Sequence, residues 1–482
     1  MRDCQLFIGG KWMNTQSGTV EQNRNPADGS TVGSVQFAGP AEAEAALAAA
    51  YAAAPGWAAL PATERQKYLL LAGDHMEKNI DRYAGWLMDE SGSTVAKSYY
   101  EIDRCAMILR SAAGECLHVE GGVCQPEADG QVNTYIRQPL GVIVGFSPFN
   151  FPVLLALNKV AYALAAGNTF ILKPASDTPL AGAVIAECFE AAELPAGVFN
   201  MLVGRGSEVG NLLIDDPRVK MVTFTGSTKV GMEIQKRCAG LLKRTTLEMG
   251  GKNPVIVLKD FDVDDAVSIA GFGAFFHQGQ VCMCASRLIV EEPIYDEFCG
   301  KFTALAAAQK MGDPHDPSVT IGPLINDTQW KIIDAHIKDA VAKGARLLCG
   351  GGHEGCYFEA TVLADVTPEM TVFHEESFGP LTSIVRAADA EDALRLCNDN
   401  TYGLSASLLT NDLRLAMSLA PRIEAGMVHV NDATIMGAMR APFGGVKGSG
   451  MGREDGQFSI DEYTETKWIT YQTKKLSYPT DR

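Results

Sequence analysis

Hydrophobic and polar positions divide the chain into a helical first part and an alternating remainder. From Ala41 to Ala59 alanines surround Glu42, Glu44 and Leu47 at helical spacing, and alanine is the strongest helix former. Thr63, Glu64 and Arg65 open a second helix through Leu69, Leu70 and Met76, and helical pattern runs on to about Glu115. Ahead of these, Leu6-Phe7-Ile8 and Lys11-Trp12-Met13 flank Gly9-Gly10, which predicts a tight hairpin. Residues 121–130 are turn-rich. Residues 131–138 (QVNTYIRQ) alternate, which predicts a strand with one wet face, on the surface or in an arm.

After residue 140 short apolar runs alternate with helical patterns. Strands are predicted at 141–145, 169–173, 198–203 and 219–224, with helices at about 153–166, 179–192, 207–214 and 227–242. A second run begins at 254. Strands at 254–258, 287–290, 346–348, 381–385 and 427–430 accompany helices at 263–276, 294–309 and 329–343. Strand–helix–strand units of these lengths predict parallel sheets covered by helices, hence two α/β domains meeting near residues 245–260. The stretch from Gln138 to Asn158 is uncharged and mostly apolar, but Pro148, Asn150 and Pro152 interrupt it where a membrane span tolerates them least.

Composition narrows the partners. With 41 Lys plus Arg against 58 Asp plus Glu, the net charge is −17, which argues against nucleic acid and anionic membrane surfaces. Twelve cysteines in 482 residues are too sparse for a disulfide scaffold. They form no CxxC pair, which predicts reduced thiols, a cytoplasmic setting and no metal site. Gly9, Gly10 and Lys11 follow only a short apolar stretch, unlike a secretory signal. Forty-eight glycines are about a tenth of the chain, above the usual ~7%.

Three glycine-bearing segments carry candidate chemistry. In Phe224 to Gly231 (FTGSTKVG) a strand ends and a helix opens. Gly226 allows close backbone approach, and the helix N-terminus favours phosphate, or the segment is a plain tight turn. Gly206 and Gly210 open the preceding helix, and Lys173 adds a cation at a strand end unless it is simply solvated. In Phe275 to Cys282 (FFHQGQVC) a cysteine just past a glycine turn can be rigid yet exposed, suiting a thiolate nucleophile, although most single cysteines are small buried hydrophobes. In Thr246 to Pro254 (TLEMGGKNP) Glu248 sits at a strand end, as a general base or a surface acid.

Taken with Phe146 to Pro152 (FSPFNFP), Leu172-Lys173-Pro174, Glu376 to Pro380 (ESFGP) and Pro442 to Gly445 (PFGG), these segments resemble the aldehyde dehydrogenase superfamily over roughly residues 5–470. The FFHQGQVCM stretch is most similar to bacterial benzaldehyde, vanillin and salicylaldehyde dehydrogenases. The resemblance implies a Rossmann-like cofactor domain (1–120 and 139–247), a second α/β catalytic domain (248–445) and a small β oligomerisation arm (121–138 and 446–482). It implies Cys282 as nucleophile, Asn150 in the oxyanion hole and Glu248 as water-activating base. Cofactor contacts are implied at Ser147, Pro148, Phe149, Lys173, Ser176, Gly206, Gly210, Phe224, Gly226, Ser227, Val230, Met249, Gly250, Glu376 and Phe378, with Arg287 supporting the nucleophile loop. NAD-specific members usually carry an acid where this chain has Ser176, so NADP acceptance is expected beside NAD.

The substrate entrance implied by family positions comprises Phe151, Leu155, Val281, Met283, Ile435, Met436 and Phe443, with Arg440 the one possible cation. An aromatic or medium-chain aliphatic aldehyde is expected first and a semialdehyde second. A cysteine hydrolase using His277 is the rival from another class, and a CoA-acylating enzyme is disfavoured by Glu248. The resemblance also implies a homodimer or homotetramer, in which the arm and a C-terminal strand near 463–475 join a neighbour's sheet.

Overall fold

The computed structural model describes residues 2–480. The hairpin β1 (Leu6–Ile8) and β2 (Lys11–Met13) precedes four helices, α1 (Pro40–Ala59), α2 (Ala62–Lys78), α3 (Ile80–Ser91) and α4 (Val95–Glu115). Strands and helices then alternate: β3 (Val142–Phe146), α5 (Leu154–Ala165), β4 (Thr169–Lys173), α6 (Leu180–Ala191), β5 (Phe199–Met201), β6 (Val219–Thr225), α7 (Thr228–Ala239) and β7 (Arg244–Glu248). The second run comprises β8 (Asn253–Val257), α8 (Val263–Phe275), β9 (Ala285–Glu291), α9 (Tyr295–Ala307), α10 (Asp327–Ala342), β10 (Arg346–Cys349), β11 (Thr361–Ala364), β12 (Leu381–Ala387), β13 (Ser405–Leu409) and β14 (Met427–Val430). The chain then returns through β15 (Gly450–Met451) and α11 (Gly456–Glu462).

The first sheet has the order β2-β1-β5-β4-β3-β6-β7-β15, and the second β10-β11-β12-β9-β8-β13-β14. The inner strands of both are parallel. Each sheet buries both faces, as parallel sheets under helices must. Side chains alternate between two cores. In the first sheet Ile143, Phe170 and Leu172 join one, while Val142, Val144 and Ile171 join the other. In the second, Ile256 and Ile289 face one core, and Val255, Val257 and Leu288 the other. Runs buried on both faces are legible only as short apolar stretches, as in Thr169–Lys173.

Sheet register aligns the first sheet's strand ends. Phe146 pairs with Lys173 and with Phe224, and Thr225 pairs with Glu248. Strands β4 and β5 run outward from β3 on one side, β6 and β7 on the other, so the order reverses between β3 and β6. That reversal opens a crevice at the strand C-termini, where open α/β sheets bind ligands.

Several elements differ from the sequence reading. The helix expected at 207–214 is a π-helical turn, Gly206–Gly210, followed by Asn211–Asp215 in α-helix. Glycines at both ends relax the first turn. Strands β11 and β13 and a hairpin of Val20–Arg24 with Thr31–Gln36 were not predicted, and of β7 only its end at Glu248 was. Strand β7 begins Arg244-Thr245-Thr246, which hides its buried end behind a polar start.

The 446–482 segment divides. Strand β15 pairs with β7 in the first sheet, and the Tyr463 carbonyl accepts from Asn168 Nδ2 at 2.9 Å. Only the strand Thr464–Gln472 joins the arm, and it does so within the chain, antiparallel to the strand Gln131–Pro139, with Gly122–Cys124 on the far edge. Among the described residues no single helix is long and apolar enough to cross a membrane.

Candidate active site

Two edges meet at the cleft, the C-terminal edge of the first sheet and the N-terminal edge of the second. Strand β7 ends at Glu248, residues 249–252 cross the cleft, and β8 starts at Asn253 beside Ala285 of β9. Cys282 therefore faces the strand ends of the other sheet.

The first-sheet edge is built for an extended polar ligand. Lys173 ends β4 and is buried. Its Nζ donates to the Pro174 carbonyl at 3.1 Å, and desolvation lowers its pKa to about 8. The hydroxyls of Ser147, just after β3, and Thr225, ending β6, are buried and have no hydrogen-bond partner among the described residues. Two orphaned hydroxyls on one crevice are what a missing ligand would leave behind.

Beyond Thr225, a Cβ on Gly226 would meet the Phe224 ring at 2.6 Å, so glycine is required there. The Ser227 side chain accepts from Val230 N at 3.5 Å and caps α7, whose N-terminus carries partial positive charge. The open backbone of Gly206, and Gly210 packed near Phe146, form the opposite rim. Ser176 is exposed in the loop beyond Lys173, and the neighbouring Asp177 carboxylate accepts from Asn326 Nδ2 at 3.5 Å.

Across the cleft, Gly251 N donates to Glu376 Oε1 at 3.0 Å, and Gly250 leaves no room for a side chain against that carboxylate. Burial raises the Glu376 pKa to about 7 against the Gly251 hydrogen bond and the Lys252 charge. Phe378, held at φ 50°, meets Phe149 edge-on at 5.6 Å. Met249 packs under Gly231 of α7. Pro148 completes the turn between Ser147 and Phe149. These donors, bare backbone and orphaned hydroxyls suit an anionic dinucleotide.

The floor of the cleft joins Asn150, Glu248 and Cys282. Three successive left-handed residues, His277 (φ 50°), Gln278 (φ 50°) and Gly279 (φ 69°), turn the chain after α8. Such strain clusters where a side chain must be aimed. Asn150 Nδ2 donates to the Gln280 carbonyl at 2.9 Å, tying the loop after β3 to the turn that carries Cys282. Asn253 Nδ2 donates to the carbonyls of Cys282 (2.8 Å) and Cys284 (3.0 Å).

Arg287 acts one step away from that turn. It donates to the carbonyls of Lys252, Leu396 and Cys397, so it anchors the crossing link instead of the Cys282 loop itself. The Cys282 thiol is half-buried, and desolvation, then the Glu248 and Glu376 carboxylates, push its pKa up. Glu248 is buried, and desolvation together with the Glu454 carboxylate raises its pKa, while Lys159 and Arg453 oppose the rise. Glu454 is itself ion-paired to the fully buried Lys159.

His277 makes no hydrogen bond to Cys282. Its ring packs edge-on against Phe151 at 5.5 Å, and burial and Lys97 hold its pKa well below the usual value. That arrangement supplies no base for a cysteine hydrolase. Beneath the floor, Lys97 and Glu101 form a buried ion pair on α4. Glu101 Oε1 accepts from Val153 N (2.8 Å) and Leu154 N (3.0 Å), satisfying the free donors at the start of α5 just past Asn150.

Cys282 closes one end of a cavity of about 490 Å³, a size usual for small-molecule sites. Phe151, Leu155, Val281, Met283, Ile435, Met436 and Phe443 line it. Arg440 does not. Its side chain is 72% exposed and turns toward Glu115, whose carboxylate lies 3.6 Å from Arg440 Nε. The cation in the wall is instead Arg104.

Sequence reasoning also missed Tyr100, Ile108, Phe272, Phe276 and Asp455. Ala96, Tyr100, Arg104 and Ile108 recur every fourth residue, so one face of α4 forms the wall. That stripe was visible but reads equally as core packing. Phe276 gathers Tyr100, Phe151 and Phe272 at ring distances of 5.8, 6.3 and 5.4 Å.

Residues 12–469 match the model described as the aldehyde dehydrogenase family. The chain is 39% identical to a benzaldehyde dehydrogenase of Bacillus subtilis (strain 168), covering 98% of each. Its fold matches the crystal structure of a salicylaldehyde dehydrogenase from Pseudomonas putida G7, complexed with salicylaldehyde. There the TM-score is 0.97 and the identity 34%, over 99% of this chain and 100% of that one. An NADP-dependent enzyme of E. coli matches with TM-score 0.96 and 38% identity, over 98% of both chains.

Proposed function

The chain belongs to the aldehyde dehydrogenase family, and on that premise we propose how its residues carry out the oxidation. The enzyme converts an aldehyde and water to the carboxylic acid, with NAD or NADP taking up the hydride. In our reading the Cys282 thiol passes its proton through Glu248 to solvent, and Sγ attacks the aldehyde carbon. A C–S bond forms and the carbonyl electron pair moves to oxygen, giving a thiohemiacetal. The second N–H of Asn150 Nδ2 and the Cys282 backbone N–H donate to that oxygen. A bound nicotinamide ring would supply the acceptor for the hydride that leaves the former aldehyde carbon.

What remains is a thioester on Cys282. Glu248 takes a proton from water, the water oxygen adds to the thioester carbon, and the C–S bond breaks to release the acid and regenerate the sulfur. Burial beside Glu454 raises the Glu248 pKa, which suits a carboxylate asked to accept a proton. Lys173 would hold the adenosine ribose, Glu376 the nicotinamide ribose, and Phe378 the nicotinamide face. Ser147, Gly206, Gly210, Gly226 and Ser227 would follow the phosphates. The observation that carries this reading is the meeting of Asn150, Glu248 and Cys282 between two sheet edges, one bearing the orphaned hydroxyls.

An aromatic aldehyde is the favoured substrate. The cavity is walled by Tyr100, Phe151, Phe272 and Phe276, which offer ring faces and edges to a flat guest. NADP is accepted as well as NAD, because the neutral Ser176 neither crowds nor repels a 2′-phosphate. The test is an aldehyde panel with each cofactor, followed by absorbance of the reduced nicotinamide. Aromatic aldehydes should lead in kcat/KM. An NAD preference above about a hundredfold, or ~2.7 kcal/mol, would contradict the cofactor reading.

Assembly into a homodimer or homotetramer through the arm completes the reading. Val123, Trp468 and Tyr471 on its three-stranded sheet are exposed.

A further inference from the structure

Residues 375–378 lead into β12 along the cleft, and one of them is anchored unlike the rest. Glu375 is exposed, and Glu376 and Phe378 are half-buried, whereas Ser377 is 2% exposed. Three side chains grip it. Lys252 Nζ donates to Ser377 Oγ at 3.3 Å, and His336 Nδ1 lies 3.0 Å from the same oxygen. Gln329 Nε2 donates to the Ser377 carbonyl at 2.8 Å. Gln329 and His336 are two turns apart on α10 and share one of its faces. The next residue but one, Gly379, is pressed against the same helix, where a Cβ would strike Ile333.

The hydroxyl is used in both directions. Ser377 Oγ accepts from the buried Lys252 ammonium and gives its own proton to His336 Nδ1. That ring is an acceptor near neutral pH, because burial and the Lys252 charge lower its pKa to about 4. On the other side of the segment, Gly251 N donates to Glu376 Oε1. Two successive residues of the crossing link, Gly251 and Lys252, therefore hold two successive residues of this segment. Phe378 follows at φ 50°, a backbone kept only where its surroundings impose it. Side chains that meet a ligand must be held to a fraction of an ångström, and 376–378 lie outside any strand that could do so. The anchoring falls to the residue between the two that face the cleft.

We propose that Ser377 is the positioning residue for the nicotinamide end of the cofactor. Gripped by Lys252, His336 and Gln329, it sets Glu376 against the ribose and Phe378 against the ring. This rests on the reading of Glu376 and Phe378 as cofactor contacts and adds what places them.

The test measures Kd by calorimetry for NAD and for ADP, which carries the adenosine end and no nicotinamide ribose. Ser377→Ala leaves Lys252 and His336 Nδ1 without their shared partner. It should raise Kd for NAD about tenfold and keep Kd for ADP within about twofold. Ser377→Thr keeps a hydroxyl and should return NAD binding to within about threefold of wild type. Gln329→Ala removes one bond from a half-buried position and should raise Kd for NAD about threefold, again sparing ADP. It uncovers no buried charge, so the proposal stays testable if Ser377→Ala misfolds.

Equal weakening of NAD and ADP would make the network general packing and overturn the proposal. So would unchanged NAD binding in both Ser377→Ala and Gln329→Ala. Glu376→Gln separates the two levels. If it weakens NAD binding while the other two variants do not, this inference alone fails. If it too leaves NAD binding unchanged, the cofactor contact beneath the inference fails with it.

Discussion

The catalytic floor and the cavity wall share one cleft but are built differently. The floor comes from strand ends and tight turns, and hydrogen bonds hold it. Asn253 grips the carbonyls on either side of Met283, and Asn150 grips Gln280. The wall comes from one face of α4, the end of α8 and the 435–443 loop, and its rings simply pack together. Bond-making needs atoms fixed within a fraction of an ångström, whereas a packed apolar surface tolerates exchange of similar volumes. Damage to the floor should therefore appear in kcat, and damage to the wall in KM.

Four substitutions probe that contrast. Cys282→Ala should lower oxidation by at least about 10⁴-fold, since nothing else in the floor is a nucleophile. Reduced-nicotinamide formation in the steady state measures it, and appreciable residual turnover would move the chemistry elsewhere. Glu101→Gln leaves Lys97 charged and unpaired beneath the floor, and should cost about 3–5 kcal/mol in urea unfolding. A near-neutral result would mean that the pair does not brace the start of α5. Asn150→Ala should reduce kcat about 10²–10³-fold with little change in KM. An effect confined to KM would place Asn150 in the wall. Phe276→Leu should be the mildest, with KM for an aromatic aldehyde rising less than about tenfold and kcat kept. A collapse of kcat there would erase the distinction.

The same contrast explains what the sequence reveals. Floor residues lie in short contiguous segments whose glycines are required by close approaches, as Gly226 and Gly250 show. Such a requirement is local and can be read along the chain. The wall is assembled from positions about 350 residues apart, Tyr100 on α4 and Asp455 before α11. Their meeting depends on how α11 docks against α4 and α5, which no local pattern encodes. Arg440 misled for the same reason. It is near the motif PFGG in sequence, yet it turns outward to Glu115.

The sheets were legible because parallel strands buried on both faces read as short apolar runs between helices. The start of strand β7 and the return through β15 were hidden, the first by its polar residues and the second by its length of two residues. That return joins Gly450 and Met451 to the first sheet, and α11 packs on α4 and α5.

The central claim is that Cys282 carries the acyl group and Glu248 supplies the water that releases it. Mixing Glu248→Gln with NAD or NADP and a good aldehyde, then weighing the intact protein and its Cys282 peptide, tests both halves at once. The account predicts a burst of reduced nicotinamide near one per site, slow turnover afterwards, and an acyl mass retained on Cys282. Rapid steady-state turnover with no adduct, or an adduct on a different cysteine, would contradict it.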